Sequence, residues 1–197
     1  KSRLAEWLCQ HAHQVGAVSV LHAFFGSIAS PGDGLAAMLS RHLQCSDLSR
    51  PQMLSRLEPM MRQIGMPDPD DWIALTEFLC PLDSAEAPGP VLRFASVSER
   101  YHLLHRFLSR LAEERTVIVW LDDVQWGLDA IGFAKHVMAQ TSRVRLLLVY
   151  TAGEDALAER PQERAALVQL LGSPRATQIL VGPLDETERH LLVRRLL

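Results

Sequence analysis

Two adjacent carboxylates follow an apolar run, and they are the first candidates for chemistry in this sequence. Asp122 and Asp123 come directly after TVIVWL (116–121), a pattern typical of a strand buried on both faces of a parallel sheet. Ionised carboxylates at the end of such a strand are costly unless they meet a cation or hydrogen-bond donors. The pattern predicts a Walker B motif, in which Asp122 holds a magnesium shell and Asp123 orients or deprotonates an attacking water. The alternative is that both acids cap the helix that follows.

Lys1 and Ser2 open the sequence at the start of a helical pattern. The last two residues of a GxxxxGK[ST] loop are placed in this way: the lysine reaches the β- and γ-phosphates, and the serine hydroxyl binds Mg²⁺ at a helix N-terminus. A lysine at a helix N-terminus is electrostatically unfavourable unless an anion is present. We therefore expect Lys1 and Ser2 to bind a phosphate–metal group, with the rest of the loop and a first strand upstream. The alternative is that the pair carries no functional meaning.

The elements that must position these residues alternate between helix and strand. Leu4, Leu8, Ala12 and Val15 predict one apolar helix face that ends at Gly16. Apolar runs predict four strands, at 17–25, 116–121, 144–151 and 177–181. Uninterrupted apolar strands that alternate with helices indicate the α/β class, with a doubly wound parallel sheet covered on both faces. Ligands of such sheets bind beyond the carboxyl ends of the strands.

Short helices are predicted between the first two strands, in an insert of about residues 30–95. Its predicted features are an apolar stripe (Leu35, Met38, Leu39, Leu43), a helix opened by Pro51, a helix capped by Asp70 or Asp71, and an exposed loop at 81–90. Capping-box spacings at Ser96–Glu99 and Asp185–Glu188 predict two further helix starts. Helices are also expected at about 129–140 and 156–171. We expect a central strand beside the Asp122 strand to lie upstream of the sequence.

Composition excludes several classes of function. The chain has 197 residues, 48% of them hydrophobic, and a net charge of −3, which fits a globular domain and excludes a strongly basic nucleic-acid binder. No apolar run reaches the ~18 residues that a membrane helix needs. Three cysteines stand far apart without a CxxC pair, so we expect no disulfide framework and a reducing cytoplasm.

Other chemistry-bearing residues have ordinary structural interpretations. His102 and His105 share a helix face and are alternative metal ligands, although no carboxylate or cysteine stands at a fitting spacing, and partly packed histidines are expected instead. The methionines of the insert (Met53, Met60, Met61, Met66) either line a soft binding groove or fill the core, and core filling is favoured. Trp126 stacks on a nucleotide base or packs at the Asp123 turn.

The segment around the two acids carries a resemblance to a known family. LDDVQWGLDA (121–130) resembles the LDDLQWAD-type Walker B motif of STAND-class AAA-like ATPase modules. Those modules occur in bacterial multidomain signalling proteins, fused to serine/threonine kinase, nucleotide cyclase or LuxR-type DNA-binding domains. Three further segments are similar: KSRL (1–4) to the end of their P-loop, FASVSERYHLLHRFL (94–108) to a helix of kinase-fused members, and VGPL (181–184) with Glu188 to the start of their C-terminal helical part.

The resemblance implies a P-loop NTPase core of the AAA/ASCE kind over residues 1–184, with the start of a helical lid or winged-helix part at 185–197. It implies that ATP and Mg²⁺ are held by Lys1, Ser2, Asp122 and Gln125, with Ser2 and Asp122 at the metal and Asp123 catalytic. By the same resemblance, Trp126 packs at the turn and holds Asp123 in place.

Two departures from the family pattern bear on activity. The corresponding strand of the family ends in tyrosine or threonine and then arginine, whereas Tyr150-Thr151-Ala152-Gly153 contains no arginine; this disfavours efficient hydrolysis. Gly127 stands where alanine is common. The resemblance implies an ATP-binding, slowly hydrolysing switch in a bacterial kinase fusion. The alternatives are a nucleotide-binding scaffold without turnover, or an interaction module, in a cyclase or LuxR-type regulator. Expected partners are other domains of the same chain and a second copy, with no membrane and no nucleic acid.

Overall fold

Three parallel strands form the sheet that organises the molecule. A computed structural model describes residues 1–82, 92–141 and 143–196. The strands are β1 (Val18–Phe24), β2 (Thr116–Asp122) and β3 (Leu146–Tyr150), in the order β1-β2-β3. Phe24 pairs with Asp122, and Leu121 pairs with Tyr150, so the three carboxyl ends lie level. The predicted α/β class with a parallel sheet is confirmed.

Helices fill the connections between the strands. The described part of the chain holds α1 (Ser2–Gln14), α2 (Gly34–His42), α3 (Arg50–Gln63), α4 (Pro69–Leu79), α5 (Val97–Glu114), α6 (Leu128–Ala139), α7 (Glu154–Ala158), α8 (Pro161–Leu171) and α9 (Glu186–Leu196). A 3₁₀ turn, Val124–Trp126, separates β2 from α6. Within the described residues, every helix is too short or too polar to cross a membrane.

The two faces of the sheet are covered unequally. Alternate β2 residues, Ile118 and Trp120, face α1 and pack on Ala5 and Cys9. The opposite face packs in one continuous core with α2 to α6 and α8. The predicted stripe of α2 is buried in this core, and so are three of the insert methionines (Met53, Met61, Met66), which confirms core filling for those three. Helix α1 covers its face of the sheet over β1 and β2 but leaves Leu147 of β3 46% exposed, so the predicted cover of both faces is confirmed in part.

Helix α1 is present, but its predicted buried face is wrong. Leu4 is 51% exposed and Leu8 is 38% exposed, whereas Ala5 and Cys9 are buried. The buried face is displaced by one residue, which is a rotation of roughly 100° about the helix axis. Small side chains allow α1 to approach the sheet where the large rings and branched chains of Trp120 and Ile118 already fill the space.

Hydrogen bonds at the helix N-termini match the predicted caps of α5 and α9, whereas the cap of α4 lies at a different residue. The hydroxyl of Ser96 accepts from Glu99 N (3.2 Å), and Asp185 and Glu188 exchange two hydrogen bonds across the start of α9. The prediction that Asp70 or Asp71 caps α4 is wrong, because Asp68 accepts from Asp70 N (3.0 Å) and the helix begins at Pro69. Proline is favoured at the first helical position, where no backbone donor is needed.

One expectation about the sheet is wrong. Residues 177–181 do not form a strand, and Ile179 is 74% exposed; β-forming residues need a neighbouring ladder, and no described strand lies beside this segment. In the structure β1 and β3 pair with the two edges of β2; the strand expected upstream of Lys1 stays a prediction. Most of the predicted loop at 81–90 lies outside the described residues.

Candidate functional site

The chain turns sharply directly after β2, and both acids lie in this turn. Asp123 has φ 60° and ψ 46°, a left-handed conformation that non-glycine residues seldom adopt but that aspartate tolerates better than most. We call Asp122, Asp123 and the following 3₁₀ residues, Val124–Trp126, the acidic turn. Because its backbone conformation is unfavourable by itself, neighbouring groups must hold it.

Thr151 holds both acids with one hydroxyl group. Its Oγ1 donates to Asp122 Oδ1 (2.5 Å) and accepts from the backbone N–H of Asp123 (3.1 Å). The Thr151 carbonyl accepts from Val124 N (3.0 Å). Sequence reasoning treated Thr151 only as the end of a strand. The signal that it belongs to the site is its position at the carboxyl end of the strand next to β2.

The N-terminus of α1 brings Ser2 to the acidic turn. The Ser2 hydroxyl donates to Asp122 Oδ1 at 2.8 Å, across 120 residues of sequence. The carboxylate of Asp122, which is only 7% exposed, therefore receives two hydroxyl donors on one oxygen. Such donors compensate the loss of hydration that burial imposes on a charge. Ser2 and Asp122 thus lie together, as predicted.

Lys1 lies at the end of β3. Its ammonium group donates to the carbonyl oxygen of Ala152 at 2.7 Å. A Cβ atom added at Gly153 would lie 3.8 Å from Lys1 Nζ and 3.6 Å from Gln125 Nε2. Lys1 is therefore beside the segment in which the resemblance places an arginine, and it brings a positive charge to this edge of the sheet.

Gln125 belongs to the acidic turn and is buried, only 4% exposed. Its Nε2 donates to Asp123 Oδ1 (3.1 Å), and its Oε1 accepts from Gly153 N (3.0 Å). The next residue, Trp126, is half-buried and lies 4.4 Å below the guanidinium group of Arg160. Trp126 therefore packs at the turn, and its stacking partner in the structure is an arginine.

The helix-capping alternative for the two acids is wrong. Helix α6 begins after Gly127, and no side chain caps it. Asp123 precedes the 3₁₀ turn without a capping hydrogen bond from its side chain. The carboxylates instead bond to Ser2, Gln125 and Thr151.

His22 on β1 pairs with Trp120 on β2, two residues before Asp122. The rings of His22 and Trp120 stack with their centroids 3.8 Å apart. Burial lowers the pKa of His22, and the negative charge of Asp122 acts in the opposite direction. The neutral imidazole is thus favoured at this position.

Other locations in the molecule give less support for a metal or ligand site. Among the described residues, no group of three or more His, Cys, Asp or Glu side chains is arranged to hold a metal ion, so the His102–His105 alternative has no support. Two open clefts of about 440 and 480 Å³ lie along α4 and α5, and neither is lined by residues of the acidic turn.

The donor types at the acidic turn fit a magnesium–phosphate group. Mg²⁺ prefers oxygen ligands and uses one or two carboxylates together with phosphate and water oxygens, and Asp122 and Ser2 present a carboxylate and a hydroxyl. An ammonium group such as that of Lys1 binds phosphate as a point charge. Comparison with models of known protein families, with curated protein sequences and with solved structures finds no match to this chain.

Proposed function

We propose that this chain binds ATP with Mg²⁺ and acts as a nucleotide-dependent switch, with the P-loop core of an AAA-like ATPase module. The observation that carries the proposal is the hydrogen bond from Ser2 Oγ to Asp122 Oδ1. Ser2 and Asp122, both expected at the magnesium, lie 120 residues apart in sequence and meet in the fold. Random placement of a serine and an aspartate gives no reason for this contact.

The residues of the site have distinct roles in this proposal. Lys1 exchanges its bond to the Ala152 carbonyl for phosphate oxygens, where its charge offsets theirs. Ser2 and Asp122 hold Mg²⁺, which when bound neutralises charge on the phosphates. Asp123 orients the attacking water or accepts its proton. Thr151 holds the Asp122 carboxylate and the backbone N–H of Asp123 through its two hydrogen bonds.

Calorimetry tests this proposal on the natural chain, including whatever precedes Lys1 in it. We expect ATP to bind, and we expect Asp122→Asn to weaken binding at least tenfold with Mg²⁺ and less than threefold in EDTA. Asp70→Asn is the matched control, because Asp70 lies at the start of α4 and away from the acidic turn. Absence of ATP binding by the folded, unsubstituted protein would contradict the proposal.

A second candidate is a nucleotide-binding scaffold without turnover. It is favoured by Ala152 and Gly153, which follow Thr151 where the resemblance expects an arginine, and by the placement of Lys1 at that position. Asp123→Asn separates the two candidates. If hydrolysis occurs, this change should retain bound ATP and lower turnover by about 10²-fold or more, as expected for loss of a general base. An unchanged rate favours the scaffold.

The wider setting of the switch is also part of the proposal. By the resemblance, the chain belongs to a bacterial cytoplasmic signalling protein and passes its nucleotide state to an output domain, with a serine/threonine kinase favoured over a cyclase or a LuxR-type regulator. Movement of residues 185–197 with the bound nucleotide would transmit the state. Modules of one fold occur with many different output domains, and it is the resemblance that favours a kinase.

A further inference from the structure

We propose that Gln125 is a positioning residue that couples phosphate binding at Lys1 to the orientation of Asp123, an inference that rests on the proposed function. The sequence assigned Gln125 to the nucleotide itself. In the structure both polar atoms of its buried carboxamide bond to protein groups. Gln125 therefore acts through Asp123.

The orientation of the Gln125 carboxamide is fixed by its partners. A carboxylate only accepts hydrogen bonds and a backbone N–H only donates, so the amide nitrogen must face Asp123 and the amide oxygen must face Gly153. In the flipped amide, the Gln125 oxygen would face the Asp123 carboxylate, which also only accepts. Its nitrogen would face the Gly153 N–H, which also only donates. This side chain thus has one satisfied arrangement, in a location closed to water.

A single backbone peptide group joins this carboxamide to Lys1. The Ala152 carbonyl accepts from Lys1 Nζ at 2.7 Å, and the N–H of the same peptide group, on Gly153, donates to Gln125 Oε1 at 3.0 Å. Gln125 Nε2 then donates to Asp123 Oδ1 at 3.1 Å. We call these three hydrogen bonds the amide relay. It runs from an ammonium group to a carboxylate through two amide groups.

The amide relay gives phosphate binding a direct physical route to Asp123. Consecutive hydrogen bonds polarise one another, so the cation at the Ala152 oxygen strengthens the Gly153 and Gln125 donors. When Lys1 moves to a phosphate oxygen, this polarisation is lost and the hydrogen bond from Gln125 to Asp123 weakens without breaking. Gln125 still orients Asp123 while its carboxylate engages water, and the strength of this hold depends on the ligand.

Two substitutions separate the donor and acceptor halves of the carboxamide. Gln125→Glu preserves the size and the acceptor for Gly153 but replaces the N–H donor to Asp123 with a carboxyl group that repels Asp123 when ionised, whereas Gln125→Leu removes both the donor and the acceptor. We expect the amide hydrogen of Gly153 to exchange at least tenfold faster in Gln125→Leu and to remain protected in Gln125→Glu. This readout, made by NMR without nucleotide, does not depend on activity.

Turnover then distinguishes positioning from ligand contact. Both variants should lower the single-turnover rate of ATP hydrolysis at least tenfold while changing the dissociation constant of ATP with Mg²⁺ less than threefold. In the unsubstituted protein, ATP with Mg²⁺ should accelerate Gly153 exchange at least threefold, and Gln125→Leu should abolish this response. Thermal unfolding of each variant checks that the fold is retained, and Gln125→Glu supplies the near-isosteric case if the leucine variant unfolds.

The outcomes that overturn the inference differ from those that overturn the function. Failure of the unsubstituted protein to bind ATP overturns both. Where ATP binds, unchanged Gly153 exchange in Gln125→Leu, or weakened ATP binding with unchanged turnover, overturns the amide relay alone. In the second case Gln125 touches the nucleotide, as the sequence assigned.

Discussion

One threonine hydroxyl organises the acidic turn at the residue scale. Thr151 Oγ1 has one proton to donate, which it gives to Asp122, and it accepts the N–H of Asp123. A methyl group in place of the hydroxyl would leave a buried carboxylate with fewer donors and a buried N–H without its partner. A buried polar group without a hydrogen-bond partner costs about 1–3 kcal/mol of stability, which is more than a typical hydrogen bond contributes.

Thr151→Val tests the role of this hydroxyl, because valine has nearly the same shape. We expect the free energy of unfolding to fall by about 1–3 kcal/mol, since the Asp123 N–H loses its partner and Asp122 keeps only the Ser2 hydroxyl. Thr151→Ser is the control, because it keeps the hydroxyl and should lose clearly less. Urea unfolding of both variants is the measurement, and an unchanged free energy of unfolding in Thr151→Val would contradict the role of the hydroxyl.

Gly127 illustrates how a substitution that looks mild in sequence becomes severe in structure. A Cβ atom at this position would lie 2.5 Å from Cδ1 of Phe25 and 2.7 Å from its Cγ, and Phe25 is buried. Gly127→Ala, the residue common in the resembling family, should therefore cost about 1–3 kcal/mol through overpacking. Gly182→Ala is the control, because nothing lies within 4 Å of its added Cβ. Thermal unfolding that shifts equally in both variants would contradict this expectation.

The sequence predicted the members of the site better than their contacts. The acids at a strand end and the Lys-Ser pair at a helix start were identifiable because strand ends and helix N-termini are where parallel α/β proteins place polar groups. The roles of Thr151 and Gln125 depend on the register of β2 against β3. Register is a tertiary property that the local pattern does not encode, so these contacts were not predictable.

At the scale of elements, α5 and α6 meet through histidines. The His136 ring lies 6.3 Å from those of His102 and His105, measured between centroids. Burial lowers the pKa of His105 and so, to a lesser extent, do the neighbouring His136 and His102; burial and then His102 lower the pKa of His136. Charging this cluster therefore opposes the packing of α5 on α6.

The lowered pKa values predict an acid-sensitive fold. The unfolded chain takes up protons near the ordinary histidine pKa of 6.5, and the folded protein resists them, so the unfolding free energy should fall as the pH drops below 6.5. Burial lowers the pKa of His22 and His42 as well, which acts in the same direction. Urea unfolding at pH 7.5 and 5.5 measures the difference. His105→Gln should reduce it, and an equal or larger difference in this variant would contradict the assignment.

The element predictions succeeded where packing is local and failed where it is not. Apolar runs and caps located β1, β2, β3 and most helix starts because these signals lie within a few residues. The face of α1 and the conformation of 177–181 depend on which neighbours the sheet provides. Such tertiary context outweighs local propensity.

At the scale of the whole molecule, large apolar side chains are exposed on several elements, and α1 is one of them. Exposed apolar side chains lie on α1, on the α1-facing side of β3 and along 177–184, and they include Leu4, Trp7, Leu147, Ile179 and Leu184. Unpaired strand edges and contiguous apolar patches favour association with other chains. A net charge of −3 over 197 residues provides weak repulsion against it.

These 197 residues by themselves should therefore associate as their concentration rises. Sedimentation velocity over a hundredfold concentration range measures this association. The paired change Leu4→Glu and Leu8→Lys should reduce it and alter the unfolding free energy by less than about 1 kcal/mol, because surface substitutions away from packed contacts are each usually within ±0.5 kcal/mol. Val168→Lys is the matched control, since Val168 is similarly exposed but lies on α8, across the sheet from α1. Equal reduction by both sets of changes would show that any loss of exposed apolar surface, and not the α1 surface in particular, governs association. A monodisperse unsubstituted chain at every concentration would contradict the prediction altogether.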